Sequence, residues 1–432
     1  VTLSITIAAV GLVVVLLCPA RLSGFFGALT AVFLAGLIPS NTPPRDVILY
    51  ALLGAVIVMF LGLLRSARYV EIRRTNPWII AFVVVVTLRQ LVEVQWPYSL
   101  RVGVTGAGII LVSVLASQEW TDKRGRERDL LVWSLPVLVI VEFCLAWSEE
   151  FGGAKALWPL SNGTDVIGSR YNTVLSSLPG RALGSTGQPI PLGALACAGL
   201  VVCIWLLIER RRYGYIAIAG LAVATLIFAG SRTAIIAAMV ATLYLLLTRS
   251  RLSSIPLYLA GGGLLLIGLF NSSILDLLGF SDFSDSTSYS HRVGVLGYVP
   301  ELLNRGSLEF LFGSGYTTIA NALQNSSAGS DGITVFDQEY VRTAWGSGLL
   351  GLVLLAGVLI SGWRRSDKLG RMLLIVMAIL FASWDALGWN MAFTIFAIAA
   401  SRYTTRREVT TDKEELSPNS TVSRAPTSRT SR

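Results

Sequence analysis

The sequence predicts an all-α polytopic membrane protein with about 12–13 transmembrane helices and one large extracytoplasmic loop. Three observations carry that prediction. Of the 432 residues 53% are hydrophobic and only 14% charged, and the mean hydropathy is +0.65. That composition overrides the two or three soluble domains such a length would otherwise imply. Apolar runs recur along most of the chain, many of them long enough for the roughly 17–25 residues of a membrane-crossing helix. Basic residues gather in alternate connections, as they do when a chain threads a bilayer repeatedly.

The first span is expected over about 3–17. Its run has no basic n-region, so a helix is expected there and not a cleaved signal peptide. Arg21 lies in the connection 18–23 that precedes the second span, 24–38. A third span, 47–64, ends in the basic connection 65–74, and a fourth follows over 78–94. The fifth, 102–117, and sixth, 130–147, flank the basic segment 118–129. After a long polar loop, Pro189-Ile190-Pro191 opens the seventh span, 189–208, since proline is tolerated in a first helical turn. Arg210-Arg211-Arg212 separates it from the eighth, 214–228, and Gly230-Ser231 makes a very short turn into the ninth, 233–247. The tenth is expected over 255–270. A polar segment of about 271–337 then interrupts the hydrophobic pattern before the last three spans, 338–360, 370–384 and 388–401.

The connections 18–23, 65–74, 118–129, 209–214, 248–254 and 361–371, with the tail from Ser401, hold 25 of the 35 Lys and Arg residues. The positive-inside rule therefore puts both long loops, about 148–188 and 271–337, outside the cytoplasm. Residues 1–402 read as the transmembrane domain. Residues 403–432 are rich in Ser, Thr and Arg without apolar periodicity and are expected to be a disordered cytoplasmic tail. The net charge of +9 follows this sidedness and forms no general basic patch, so membrane lipids and no nucleic acid are the expected contacts. Cys18, Cys144, Cys197 and Cys203 fall in or beside spans without a CxxC pair and read as packing residues. With a single histidine, no zinc site is expected.

Both outer loops exceed what a simple connection needs. The first holds Trp158-Pro159, Arg170-Tyr171-Asn172, Arg181 and Gly184-Ser185-Thr186-Gly187. The second holds His291-Arg292 and Arg305, and Val295, Leu296, Val299, Leu302 and Leu303 predict an amphipathic helix within it, over 293–303.

Arg232 follows Gly230-Ser231 at a short turn, with a helix N-terminus beginning beside it. Exposed backbone N–H groups there favour anions, and a guanidinium grips phosphate oxygens with a bidentate fork. The alternative for the same residue is an interfacial arginine reaching toward lipid headgroups. Arg292 is either a second arginine on the anion or a salt-bridge partner of Asp282, Asp285 or Glu301. Arg181 either positions substrate or stabilises its own loop. Asp337 is by position an N-cap and by chemistry a carboxylate able to take a proton from a hydroxyl, with Glu339 and Arg342 as nearby alternatives. His291 is a base by type, although Arg292 beside it disfavours its protonation. Arg89 and Glu142 are the charges well inside spans. They are expected to pair with each other, because unpaired charge in a membrane is costly. Two arginines and a carboxylate gathered on one membrane surface point to an anionic substrate.

Four segments resemble the O-antigen polymerase/ligase family of bacterial membrane glycosyltransferases. They are Arg181-Ala182-Leu183-Gly184 through Pro189-Ile190-Pro191-Leu192-Gly193, then Gly230-Ser231-Arg232-Thr233-Ala234, then Leu311-Phe312-Gly313-Ser314-Gly315-Tyr316, and finally Asp337-Gln338-Glu339-Tyr340 through Gly348-Leu349-Leu350-Gly351. The resemblance spans about 170–360. It implies a GT-C-like fold in the bacterial plasma membrane, a polyprenyl-pyrophosphate-linked glycan donor, a glycan acceptor and no cofactor or metal. Other polysaccharide-assembly proteins are implied partners. By the same resemblance Arg232, Arg292 and Asp337 are the catalytic residues, and Arg181, Arg170, Ser231, Tyr316, Arg342 and His291 contact substrate. Two departures favour a polymerase over a ligase: family ligases carry histidine where Asp337 stands, and Gly346-Ser347 replaces an expected acidic residue. The alternatives are a ligase with a separate acceptor and a transporter of lipid-linked sugars.

Overall fold

A computed structural model of the chain describes residues 2–40, 42–69, 75–96, 98–118, 120–121, 127–158, 172, 174–175, 177–178, 180–249, 295, 298–319 and 336–402. The helix predicted over 255–270, most of the second loop with His291 and Arg292, Arg170 in the first loop, and the tail 403–432 lie outside the described residues.

Every other predicted span is a helix. In chain order these are α1 (Thr2–Leu17), α2 (Ser23–Leu37), α3 (Arg45–Ser66), α4 (Pro77–Glu93), α5 (Tyr98–Ala116), α6 (Leu130–Glu150), α7 (Pro189–Ile208), α8 (Tyr215–Ala229) and α9 (Arg232–Arg249). Two short helices, α10 (Val299–Leu303) and α11 (Ser307–Phe312), precede α12 (Glu339–Arg365), α13 (Lys368–Phe381) and α14 (Asn390–Ser401). Among the described residues, strand structure is confined to a two-residue antiparallel ladder, Trp120 opposite Arg128 and Thr121 opposite Glu127. Six helices are long and apolar enough to cross a membrane: Ala20–Leu37, Arg45–Ser66, Tyr98–Ala116, Leu130–Glu150, Pro189–Ile208 and Glu339–Arg365. The protein is an all-α polytopic membrane protein.

The reason the chain folds this way is that a bilayer offers no partner to a bare amide, so each crossing segment must satisfy its own backbone. Polar side chains then collect where helices start and stop. Asn76 caps α4 by accepting from Trp78 N at 3.1 Å, with Pro77 at the first helical position. Asp129 caps α6 through Leu131 N at 3.0 Å, and Asp367 caps α13 through Gly370 N at 2.8 Å.

Successive helices run up and down, which creates two polar ends. At one, here the basic end, Arg65 donates to Cys18 O at 3.1 Å and Asn76 Nδ2 reaches Ala400 O at 3.1 Å. At the other, the capped end, the C-termini of α2, α4, α6, α8 and α13 meet the N-termini of α3, α5, α7, α9, α12 and α14. α2 packs along α3, α7 along α8, α12 against α4 and α13 against α9. α7 is the central helix, with 83% of its apolar window buried, whereas α5 has 28% and lies at the periphery. Phe25, Phe82, Phe381, Phe396 and Trp384 fill the interior.

Arg402 locks the basic end. Its guanidinium bridges the two capping carboxylates, reaching Asp129 Oδ2 at 2.6 Å and Asp367 Oδ1 at 2.9 Å. Burial opposes the ionised Asp367 carboxyl, but Arg402 and the Gly370 N–H prevail and hold it below the usual carboxylate range. A carboxyl whose folded pKa is depressed contributes stability above its unfolded value near 3.9, lost as pH falls through the folded value. Removing one partner of a buried ion pair strands the others at a cost of about 3–5 kcal/mol. Arg402→Gln is therefore expected to lower the unfolding temperature of the detergent-solubilised protein at pH 7. Acidifying the wild type below about pH 4 should narrow the gap between them. An unchanged melting temperature at pH 7 would show that the bridge carries no load.

Candidate functional site

At the capped end the start of α12 gathers an uncommon density of charge. Gln338 is the N-cap residue, with extended backbone (φ −144°, ψ 115°), and its carbonyl accepts from Arg342 N at 2.9 Å. Asp337 thus lies one residue outside the helix, and the N-cap position expected for it belongs to Gln338. Glu339 is buried. Its carboxylate accepts from Thr343 Oγ1 at 3.0 Å, Arg342 Nη1 at 3.3 Å and Leu387 N at 2.9 Å. The last bond ties α12 to the turn Ala386–Gly388.

Asp385 immediately precedes that turn. Its Oδ1 accepts from Trp389 Nε1 at 3.4 Å. Arg342 lies alongside: a β-carbon at Gly388 would stand 3.2 Å from Asp385 Oδ2 and 3.6 Å from Arg342 Cζ. Burial pushes the Asp385 carboxyl up to about 7; Glu339 and Asp337 add to the rise, and Arg342 and Trp389 oppose it. Burial, with the neighbouring carboxylates, outweighs Arg342 here, so Asp385 keeps its proton up to near neutral pH.

A cap lies over this cluster. α12 is broken at Gly348 (φ 64°, ψ −162°), and α11 ends at Gly313 (φ 81°, ψ 164°). Both conformations belong to a region that only glycine occupies readily. The two residues lie back to back, and a β-carbon on Gly348 would fall 2.5 Å from Gly313 N and from Leu311 O. The break frees the Trp345 carbonyl, which accepts from Ser314 N at 2.9 Å, while Gly313 O accepts from Arg89 Nη2 at 3.2 Å. Tyr316 enters over Gly346, with its hydroxyl 3.0 Å from Ser347 Oγ and Arg342 5.0 Å from its ring centre. Burial pushes the phenol up to about 12, so it remains protonated. Val295, Tyr298, Ile319, Phe336, Val341 and Trp345 form the apolar seam beneath the cap. The Arg305 Cζ stands over Trp345, 3.3 Å from the ring centre. In the amphipathic segment Val295 and Leu302 face this seam, whereas Val299 and Leu303 are exposed, so the buried face is narrower than expected.

A second cluster surrounds the turn between α8 and α9. Gly230 ends α8 in the left-handed conformation and Arg232 begins α9. Arg181 Nε donates to Ala229 O at 2.8 Å, Ala182 N to Phe228 O at 2.9 Å, and Asn172 Nδ2 to Ile227 O at 2.8 Å. The first loop is thereby stitched to the turn that presents Ser231 and Arg232. Ser231 is buried against Gly193 of α7. Beneath, Glu142 accepts from Ser185 N at 2.9 Å and from the Ser185 hydroxyl, and Glu149 accepts from Leu183 N at 2.7 Å. The expected Arg89–Glu142 pair does not form. Arg89 pairs with Glu93 one turn on, at 3.3 Å, and Glu142 holds the loop that precedes α7.

The structure therefore ties Arg181 to the end of α8 beside the turn that presents Ser231 and Arg232, and brings Tyr316 to Arg342. Both groups sit at the capped end and are linked through α2, whose Gly36 O accepts from Ser185 Oγ at 3.1 Å and whose following Ser40 Oγ accepts from Asn390 N at 2.6 Å. Sequence reasoning missed Asp385. Its signal was a carboxylate in Trp384-Asp385-Ala386 between two apolar runs. Among the described residues no group of three or more His, Cys, Asp or Glu is arranged to hold a metal ion. No protein-family model and no curated protein matches the chain.

Two outcomes follow. The folded Asp385 carboxyl binds its proton more tightly than the unfolded one (pKa about 3.9). Its contribution is therefore full below about pH 4 and lost as pH rises through about 7. The wild-type melting temperature should fall over that interval, and Asp385→Asn should flatten the fall; parallel pH curves would refute the assignment. Gly348→Ala should cost about 1–3 kcal/mol from backbone conformation alone and free the cap. Amide exchange of 311–316 should then accelerate roughly tenfold or more, and unchanged exchange would show that the glycine contact does not hold the cap.

Proposed function

We propose that this protein is a membrane glycosyltransferase that polymerises polyprenyl-pyrophosphate-linked oligosaccharide units into a cell-surface polysaccharide. In this reading the capped end faces away from the cytoplasm, the donor lipid lies in the bilayer, and the bundle has the 12–13 crossings and GT-C-like character of the resembling family. The observation that carries the reading is the convergence at one end of Arg232 on a helix-start turn, Arg181 hydrogen-bonded beside that turn, and a carboxylate cluster with a raised Asp385 under a cap. Each half matches one need of the reaction.

In an inverting transfer the acceptor hydroxyl attacks the anomeric carbon while the bond from that carbon to the pyrophosphate oxygen breaks. The electron pair leaves with the pyrophosphate, so negative charge grows there. Arg232 and Arg181, with amides at the start of α9, supply fixed positive potential for it, and such a donor contributes about 10²–10³ in rate. Arg292, from the sequence, would add a third guanidinium. The hydroxyl's proton needs a base poised near the working pH. Asp385, at about 7, suits that better than an ordinary aspartate near 3.9, with Asp337 and Glu339 sharing its charge. Tyr316 and Arg342 then line the acceptor side.

Supplying purified protein with lipid-linked repeat units alone tests the reading. A polymerase lengthens them into lipid-linked chains, whereas a ligase leaves them unchanged until a separate acceptor is added. Arg232→Ala should lower the rate by about 10²–10³ with the protein still folded, and Arg232→Lys should recover part of it. Undiminished polymer from a stably expressed Arg232→Ala, Arg181→Ala double variant would sink the proposal.

A further inference from the structure

Away from this site, α2, α3, α5 and α14 enclose an apolar groove with an empty volume of about 490 Å³, counting the space open to its surroundings. Its walls come from α3 and α5, two of the least buried spans. It runs along α3 from Ile48 to Met59, about 16 Å at 1.5 Å per residue. Gly108 leaves the α5 wall open, and a β-carbon there would be in ordinary contact with Val56 at 3.5 Å. Polar groups enter from Thr105, Asn390 and Thr394. None of these three side chains makes a hydrogen bond with a described protein group.

One turn beyond the groove, on the same helix faces, stand two arginines. Arg45 precedes Ile48 by three residues and Arg101 precedes Thr105 by four, the spacings that stack side chains on one helix face. Arg101 donates to Ser40 O, Arg45 lies 4.7 Å from the Tyr98 ring centre, and the two guanidinium groups are close enough to repel each other. Neither forms a salt bridge with a described carboxylate, Asp46 beside Arg45 included. Two like charges thus stand one turn beyond an apolar slot whose walls are two of the least buried spans.

We propose that this groove binds one acyl chain of an anionic phospholipid, with the phosphate between Arg45 and Arg101 and the ester region against Thr105 and Asn390. The slot's depth selects a phospholipid over a long isoprenoid, because about 16 Å matches one leaflet, half of a hydrocarbon core of about 30 Å. Each arginine near a lipid phosphate contributes about fivefold in affinity, and the pair about thirtyfold.

The test uses the full chain in lipid nanodiscs with phosphatidylglycerol or phosphatidylcholine carrying the same acyl-chain photoprobe, and adducts mapped by mass spectrometry. Phosphatidylglycerol should label the α3 and α5 walls. Arg45→Gln with Arg101→Gln should reduce that labelling about thirtyfold, and Gly108→Leu should block the slot and abolish it. Equal labelling by the two lipids, or labelling untouched by the double variant, would overturn the site. Displacement of the phosphatidylglycerol probe by an equimolar polyprenyl phosphate would overturn its assignment to a phospholipid.

Discussion

The back-to-back contact of Gly313 and Gly348 is the interaction on which the capped end depends. A break in a helix that crosses a membrane exposes backbone groups, and those groups need partners close at hand. Here the loop supplies them: Ser314 N takes the Trp345 carbonyl that the break releases. The same approach brings Tyr316 onto Ser347 and under Arg342. Side chains on either glycine would push the strands of backbone apart. The cap, the broken helix and the position of the aromatic ring over the charge cluster are therefore one structural event.

Charge is treated differently at the two ends. At the basic end Arg402 faces two carboxylates that each already cap a helix, so every member is hydrogen-bonded and the group acts as a fastener. At the capped end, among the described residues, Arg342 faces Glu339, Asp385 and the charge of Asp337, an excess of carboxylates over guanidinium groups within that set. An excess of that kind costs stability unless a proton is retained, and retained protons near neutral pH are what acid–base chemistry uses. Glu142 shows a third arrangement. It satisfies the backbone and hydroxyl of Ser185 and so fixes the loop that enters α7.

The two arginine sites at this end differ in what surrounds them. Arg181 is hydrogen-bonded to the end of α8 next to the turn that presents Arg232, beside a loop that is itself pinned by the buried Glu142 and the half-buried Glu149. Such support favours a group that must hold one geometry during a reaction. Arg45 and Arg101 stand instead at the edge of the bundle over an apolar slot, the setting of a lipid headgroup.

Much of the architecture was determined by the sequence alone. Hydrophobic runs and the polar breaks between them located every described spanning segment to within a few residues, because burial of a helix in hydrocarbon depends on local composition. The Gly230-Ser231-Arg232 turn was legible for a similar reason, since glycine at a helix end reports a local backbone requirement, whereas Leu311 through Tyr316 stood out only by resemblance. What only the tertiary structure decided is which charges meet. Arg89 chose Glu93 and Glu142 chose Ser185, since within a bundle the nearest satisfiable partner wins and distance across helices is invisible in one dimension. The state of Asp385 was decided the same way. Its carboxyl is ordinary in sequence and is pushed up to about 7 only because the turn after α13 folds back onto the start of α12 and buries it.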